Sequence, residues 1–207
     1  FINVKVDMEK GEGPELAKRY EVKAFPTLLY VDKAGDLVHC VVGFQPVRKL
    51  IQEGGVAMDG GMTLLALQKR YDAGERDPEF VRTYISKLSE AYRPKLQESV
   101  ATEYINTLTD EQFYTRDCWN IMVYNLQNPL SPLLKKLVKN RARFYQIVAK
   151  DTVDMFIDYT FRSKVGGFTW WEAEKHGPFN QKGYDEYVAY LLSLNLPEVP
   201  RYLASLY

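Results

Sequence analysis

The sequence is poor in the residues that carry out most redox and metal chemistry. Its 207 residues include only two cysteines and two histidines. Cys40 and Cys118 form neither a Cys-x-x-Cys pair nor a zinc-binding spacing. A disulfide between them is one alternative, but two buried free thiols are favoured because a free cysteine behaves as a small hydrophobic residue.

Net charge and long apolar runs are also missing. Lys and Arg total 27, as do Asp and Glu, so the strong electrostatic case for a nucleic-acid partner does not arise. No apolar run approaches the roughly 20 residues of a membrane-spanning helix, which predicts a soluble protein without a transmembrane segment. The chain starts at Phe1 inside a strand-like run and shows no signal peptide, a pattern that favours a fragment.

The first 56 residues alternate between strand and helix patterns. "FINVKVDM" has a period-two apolar pattern that predicts a strand over residues 2–8. A helix follows in "GEGPELAKRYEV", and "TLLYVD" and "DLVHCVVGF" predict a hairpin around Lys33-Ala34-Gly35. "QPVRKLIQEGG" predicts a closing helix that ends at Gly54-Gly55. The predicted order is β-α-β-β-α.

From residue 61 onwards the pattern is helical. Asp77 and Pro78 are typical of a helix start, and an apolar face follows at Phe80, Val81, Tyr84, Ile85 and Leu88. Short loops with Pro, Gly, Asn and Ser separate about eight such segments, without a clean internal repeat. We therefore expect two domains, an α/β domain over 1–56 and an all-α domain of antiparallel helical hairpins over 61–207.

The stretch "AFPT", Ala24 to Thr27, followed by "KAGDLV" and "VGF", resembles the C-terminal part of a thioredoxin fold. The resemblance covers about a quarter of the chain and implies the thiol-disulfide oxidoreductase family. That chemistry needs a Cys-x-x-Cys pair at a helix N-terminus, which the family carries upstream of the region matched here. This chain lacks the pair, and Cys40 falls within a predicted strand, so we expect no catalytic residue, cofactor or metal and no redox activity.

The resemblance also implies a groove for a protein or peptide client in an extended conformation. In the family, the proline is cis and presents the backbone of the preceding residue to the client, which pairs as an added strand. A trans proline at the start of an edge strand is the alternative for Pro26. The substrate-binding residues implied are Ala24, Phe25, Pro26, Val42, Gly43 and Phe44.

The resemblance further implies that a central strand of the sheet lies upstream of this chain. Without it, the strands at 2–8 and 27–32 would have unpaired edges. We expect its place to be filled by the missing N-terminal segment, by a second chain or by a rearranged sheet. The helical half resembles the extensions of secreted or periplasmic bacterial thioredoxin-like proteins. A second hypothesis is therefore a non-catalytic interaction module that binds proteins through its helical array.

Two other clusters stand out in the helical half. The basic run from Lys135 to Phe144 is compatible with a phosphate-contacting helix, but its spacing favours a solvated amphipathic face. Trp170 and Trp171 lie close to Glu172 and His176, whose i, i+4 spacing could place both on one metal. A zinc site needs at least one more ligand, so packing by the Trp pair is favoured.

Overall fold

The computed structural model describes residues 1–126, 128–169 and 177–205. The chain forms two compact units, residues 1–104 and 105–207, a division that differs from the expected 1–56 and 61–207. The reason is that helices after residue 60 belong to the α/β part. Arg93, for example, donates hydrogen bonds to the backbone carbonyls of Tyr20 and Glu21.

The sheet of the first unit is an antiparallel hairpin, as the sequence predicts. Strand β1, Thr27–Val31, pairs with β2, Leu37–Val42. At the turn, Oδ1 of Asp32 accepts hydrogen bonds from the backbone N–H groups of Ala34 and Asp36. Gly35 has φ +83°, a conformation that costs glycine little. The turn residues thus close the hairpin locally.

The predicted strand over residues 2–8 is wrong, because this segment has no regular secondary structure. Ile2 and Val4 are 95% and 76% exposed. A strand requires a neighbouring strand for its backbone hydrogen bonds, and the described residues provide none for this segment. The sheet therefore has two strands within the described part of the chain, rather than the three of the β-α-β-β-α order.

The first unit places helices on and around this hairpin. A left-handed Gly60 with φ +81° ends α2, so the prediction that Gly54-Gly55 would end this helix is wrong. Half-buried Val56 and Ala57 anchor the extra turn and offset the propensity cost of two glycines. The helices are α1 (Gly13–Arg19), α2 (Val47–Asp59), α3 (Leu64–Asp72), α4 (Pro78–Glu90) and α5 (Pro94–Thr107), the last of which continues past residue 104.

Side-chain caps begin several of these helices. Thr63 accepts a hydrogen bond from the N–H of Ala66 at the start of α3, and Asp77 accepts from Glu79 and Phe80 at the start of α4. Helix α4 buries the whole apolar face expected from its sequence. The helix-start signals and the 3.6-residue periodicity were therefore reliable guides in this region.

The second unit is all helical in its described residues. Its helices are α6 (Asp110–Phe113), α7 (Arg116–Asn125), α8 (Pro132–Lys139), α9 (Arg141–Phe144), α10 (Lys150–Thr169), α11 (Gln181–Ser193) and α12 (Val199–Ala204). The fully buried ring of Phe144 lies 5.1–5.8 Å from the ring centroids of Phe113, Tyr114 and Trp119. This aromatic cluster forms one part of the core.

The basic run at 135–144 lies on two short helices that are separated at Asn140. Leu137 and Val138 are buried, while Lys136 and Arg143 both form ion pairs with Asp110. The amphipathic interpretation therefore agrees with the structure. Within the described ranges, no helix combines the length and apolar character needed to cross a membrane.

The aromatic cluster gives a direct test of this core. We expect Phe144→Ala to destabilise the second unit by about 3–5 kcal/mol, because it removes a fully buried ring and leaves a cavity. Tyr124→Ala, at a side chain that is 75% exposed, is the control and should change stability by less than about 0.5 kcal/mol. Urea unfolding followed by circular dichroism measures both, and equal effects would contradict the packing described.

Candidate functional site

The loop before β1 and the residues after β2 lie side by side at one end of the hairpin. The Phe25–Pro26 peptide bond is cis, the isomer that the resemblance implies. The Thr27 hydroxyl donates to the carbonyl of Ala24 at 2.6 Å. The N–H of Gly43 donates to the carbonyl of Pro26 at 2.8 Å, which extends the strand register by one residue.

Six residues implied by the resemblance converge at this end. Phe25 directly precedes Pro26 and Phe44 directly follows Gly43, so the two residues flank the Pro26–Gly43 hydrogen bond in the chain. These two rings are 62% and 84% exposed. Gly43 has φ +92°, and a Cβ at this position would meet no atom within 4 Å. Two exposed rings next to an open backbone position form what we call the Phe25–Phe44 surface, which also includes Ala24, Pro26, Val42 and Gly43.

The outer edge of β1 continues this surface along the backbone. In an antiparallel ladder, alternate residues bond to the partner strand and the others direct their N–H and C=O groups outward. The Gly43–Pro26 bond sets this alternation, so the backbone groups of Thr27 and Leu29 point away from β2. No third strand pairs with β1 in the described part of the chain.

A buried polar network that the sequence reasoning missed lies on the α2 side of the hairpin. His39 on β2 and Glu53 on α2 are both fully buried, and Nε2 of His39 lies 2.7 Å from Oε2 of Glu53. Nδ1 of His39 accepts from the backbone N–H of Leu64 at 3.3 Å, at the start of α3. Because Nδ1 is an acceptor, Nε2 carries the proton and donates it to Glu53.

Two lysines complete the shell around this carboxylate. Lys49 Nζ lies 2.5 Å from Oε1 of Glu53, and Lys87 Nζ on α4 lies 3.2 Å from Oε2. Glu90 accepts from both lysines, at 3.3 and 2.7 Å. Two lysines and two glutamates balance in charge, which is the condition for holding ionised groups inside a protein. The network thereby joins β2, α2, α4 and the start of α3.

The donors around Glu53 determine its pKa. Burial acts to raise the pKa of this carboxyl, but hydrogen bonds from Lys49, His39 and Lys87 outweigh it and lower the pKa to about 2. Tyr30 stacks on the His39 ring, with centroids 5.6 Å apart. Burial, together with the charge of Glu53, raises the pKa of Tyr30. Glu53 is therefore ionised throughout the neutral range.

Both cysteines are free and buried, as expected. Burial raises the pKa of Cys40, although the charge of Arg93 partly opposes this effect. Burial also raises the pKa of Cys118 to about 12. Because the thiolate is the reactive form, neither residue is suited to thiol-disulfide exchange.

The second cluster singled out in the sequence, Trp170, Trp171, Glu172 and His176, lies outside the described residues. Among the residues that the structure does describe, no three His, Cys, Asp or Glu side chains converge in a way that could hold a metal ion.

Comparison with known proteins adds no relative: no family model, curated protein or solved structure matches the chain.

The Glu53 network predicts a specific loss of stability in acid. Because the folded pKa of about 2 lies below the usual 4.5, the carboxylate contributes stability above pH 4.5, and this is lost as pH falls towards 2. Glu53→Gln should destabilise the first unit by about 3–5 kcal/mol at pH 7, because it leaves the buried partners without their carboxylate.

The measurement is urea unfolding of wild type and Glu53→Gln between pH 7 and pH 3. The difference between the two proteins should shrink as pH falls, while Glu15→Gln, at an exposed position on α1, should follow wild type throughout. A constant difference across this range would mean that the carboxylate is not held by the contacts described.

The buried thiols predict slow alkylation. In the native protein at pH 8, Cys40 and Cys118 should react with iodoacetamide at least about 100-fold more slowly than in 6 M guanidinium, because both burial and a raised pKa suppress the thiolate. Mass spectrometry after timed quenching counts the labelled sites. Rapid labelling of either residue in the folded chain would contradict its burial.

Proposed function

We propose that the first unit is a thioredoxin-like client-binding domain that is redox-inactive in this chain. It holds an extended polypeptide across the Phe25–Phe44 surface. The observation that carries the proposal is the pair of exposed aromatic rings, Phe25 and Phe44, that flank the Pro26–Gly43 hydrogen bond at the end of the hairpin. Large apolar side chains that are grouped on a surface mark sites of protein interaction.

The chemistry of the surface fits a polypeptide better than a small polar ligand. The two rings offer apolar contact to client side chains, and the open space over Gly43 lets a client backbone approach closely. The outward N–H and C=O groups of Thr27 and Leu29 can pair with that backbone as an added strand. Backbone pairing does not depend on client sequence, so the apolar rings supply the selectivity.

The buried network supports this function by holding the hairpin rigidly. His39 lies three residues from Val42, and its bonds to Glu53 and Leu64 fix β2 against two helices. A binding surface on a fixed strand loses less conformational entropy when a client binds than one on a mobile loop. The network is thus a structural support, remote from the client.

The remaining parts of this proposal come from the resemblance. A Cys-x-x-Cys carried by an upstream segment, or by a second chain, would add the redox step, and its strand would fill the open edge of β1. In that case the intact protein would act on disulfides of secreted or periplasmic clients. This chain contributes the client-binding half of such a site.

The test is binding of an unfolded client by the chain. The probe is a fluorescent, reduced and carboxymethylated insulin B chain, and the readout is fluorescence anisotropy. Phe25→Ser and Phe44→Ser should each weaken binding about tenfold, because each removes apolar contact. Both side chains are exposed, so the variants should keep the wild-type melting temperature.

Met58→Ser is the matched control, since Met58 is a 77% exposed apolar side chain on α2 of the same unit. It should bind the probe like wild type. Equal weakening by Met58→Ser, or unchanged binding by both phenylalanine variants, would refute the proposed surface. The chain should also fail to reduce insulin, because it lacks an accessible thiol pair.

A further inference from the structure

Helix α2 presents an apolar stripe to solvent. Val47, Ile51 and Met58 lie on one side of this helix, and each of them is at least 70% exposed. The opposite side of α2 carries Glu53, which is fully buried in the polar network. Because that side already packs against the rest of the first unit, the exposed stripe is a surface available to another molecule.

Two glycines occupy the middle of this helix. Glycine is the least favourable helical residue after proline, so local propensity does not explain Gly54 and Gly55. A Cβ at Gly54 would lie 3.6 Å from the ring of Phe1, whereas a Cβ at Gly55 would meet no atom within 4 Å. Gly55 lies on the stripe between Ile51 and Met58. Its missing side chain leaves a depression that a large side chain from outside can fill.

Two opposite charges flank the stripe, one towards each end. Arg48 and Asp59 are both exposed, and neither forms an ion pair with a described residue. They are eleven positions apart, which is about three helical turns, so they lie along the same flank of the stripe. A second α2 helix that runs in the opposite direction would therefore bring its Asp59 beside Arg48 and its Arg48 beside Asp59.

The same antiparallel arrangement fits the apolar residues. Its two-fold axis passes midway between the two charged residues of each helix. With a rise of about 1.5 Å per residue, Ile51 of one copy then lies about 1.5 Å along the axis from Gly55 of the other. Val47 of one copy lies about 3 Å along the axis from Met58 of the other. The branched side chain of Ile51 thus meets the depression at Gly55.

A parallel pair of helices would lack both kinds of complementarity. Identical residues would lie at equal heights, so Ile51 would meet Ile51 and the depression would stay empty. Arg48 of one copy would lie about 16 Å along the axis from Asp59 of the other, too far for an ion pair. The charges of α2 therefore select a second copy of the same helix in the opposite direction.

We infer that α2 is a self-association surface through which two copies of this chain pair. Ile51 of each copy packs against Gly55 of the other. Arg48 of each copy forms an ion pair with Asp59 of the other. Such an interface uses the same patch on both subunits and closes as a two-fold dimer.

The dimer is weak and reversible. One helix face supplies only part of the roughly 800 Å² per partner that a standard interface buries, so we expect a Kd above about 1 µM. The inference does not rest on the client binding proposed for the Phe25–Phe44 surface.

The experiment is sedimentation velocity of the full chain from about 1 µM to about 1 mM, a range that spans the Kd expected for a small interface. We expect a concentration-dependent equilibrium between monomer and dimer without larger species.

A charge exchange tests the antiparallel pairing. Arg48→Asp or Asp59→Arg alone places like charges side by side and should weaken dimerisation at least about tenfold. Arg48→Asp combined with Asp59→Arg restores opposite charges and should dimerise like wild type. Lys18→Asp, at an exposed position on α1, reverses a charge away from the stripe and should have no effect.

Two further variants test the apolar contact. Ile51→Ser should weaken dimerisation about tenfold, because it removes the side chain that fills the depression. Gly55→Gln fills the depression instead and should weaken dimerisation to a similar extent. Since a side chain at Gly55 meets no atom of its own chain and glutamine is the better helix former, the melting temperature of dilute Gly55→Gln should stay the same or rise. Leu192→Ser, at a 62% exposed residue on α11, is the control.

Met58→Ser separates this surface from the Phe25–Phe44 surface. It should weaken self-association, because Met58 belongs to the stripe, while binding of the insulin B chain probe stays unchanged.

Three outcomes would overturn the inference. One is a chain that remains monomeric over the whole concentration range. Another is self-association that neither single charge variant weakens, or that the combined variant fails to restore. The last is a monomeric chain in which Ile51→Ser abolishes binding of the insulin B chain probe, which would assign the stripe to the client.

Discussion

The ionised carboxylate of Glu53 is the constraint on which the first unit depends. A charge inside a protein must be matched by donors, and here the donors come from three different elements: His39 on β2, Lys49 on α2 and Lys87 on α4. Each element is therefore fixed relative to the other two by one group. Apolar packing has no preferred direction, so apolar packing alone would allow these elements to slide past one another. Hydrogen bonds to one carboxylate are directional and prevent this sliding.

This constraint explains why the first unit extends to residue 104. A domain that stopped near residue 56 would lose Lys87 and the N–H of Leu64, and the buried His39–Glu53 pair would lack two of its partners. It would also lose Arg93, which holds the end of α1 through the carbonyls of Tyr20 and Glu21. Helices that look separate in the sequence thus belong to the polar core of the hairpin.

Local features were well predicted from the sequence, and features that need a distant partner were not. The hairpin and the capped start of α4 follow from short-range rules on turns and helix ends. The prediction of a strand at 2–8 was wrong because an alternating pattern indicates an apolar side but not whether a neighbouring strand is present to pair with it. Helix α2 passed Gly54-Gly55 because tertiary contacts outweighed the local propensity of glycine.

The buried network was missed for the same reason. His39 and Glu53 are 14 positions apart, on a strand and a helix, and no short-range rule joins them. Two signals were present, however. His39 lies within a run of apolar strand residues, where an imidazole needs a partner, and Lys49 precedes Glu53 by four positions, the spacing of a helical ion pair. No comparable pattern in the sequence predicts that the side chains of Phe25 and Phe44 are exposed, since apolar residues near strand ends are usually buried.

The antiparallel register also has an evolutionary consequence. His39 and Val41 share one side of the sheet with Tyr30, while Cys40 lies on the other. Suppose that one residue were lost from the connection between the strands and that β2 shifted by one position along β1. The Cys40 thiol would then face the Glu53 carboxylate, and the His39 imidazole would lie on the opposite side of the sheet. A change in the length of this connection is therefore compatible with the polar core only when the register of β2 against β1 is unchanged or shifts by an even number of residues. An indel that shifts this alignment by one residue should therefore be inherited together with a second one that restores it.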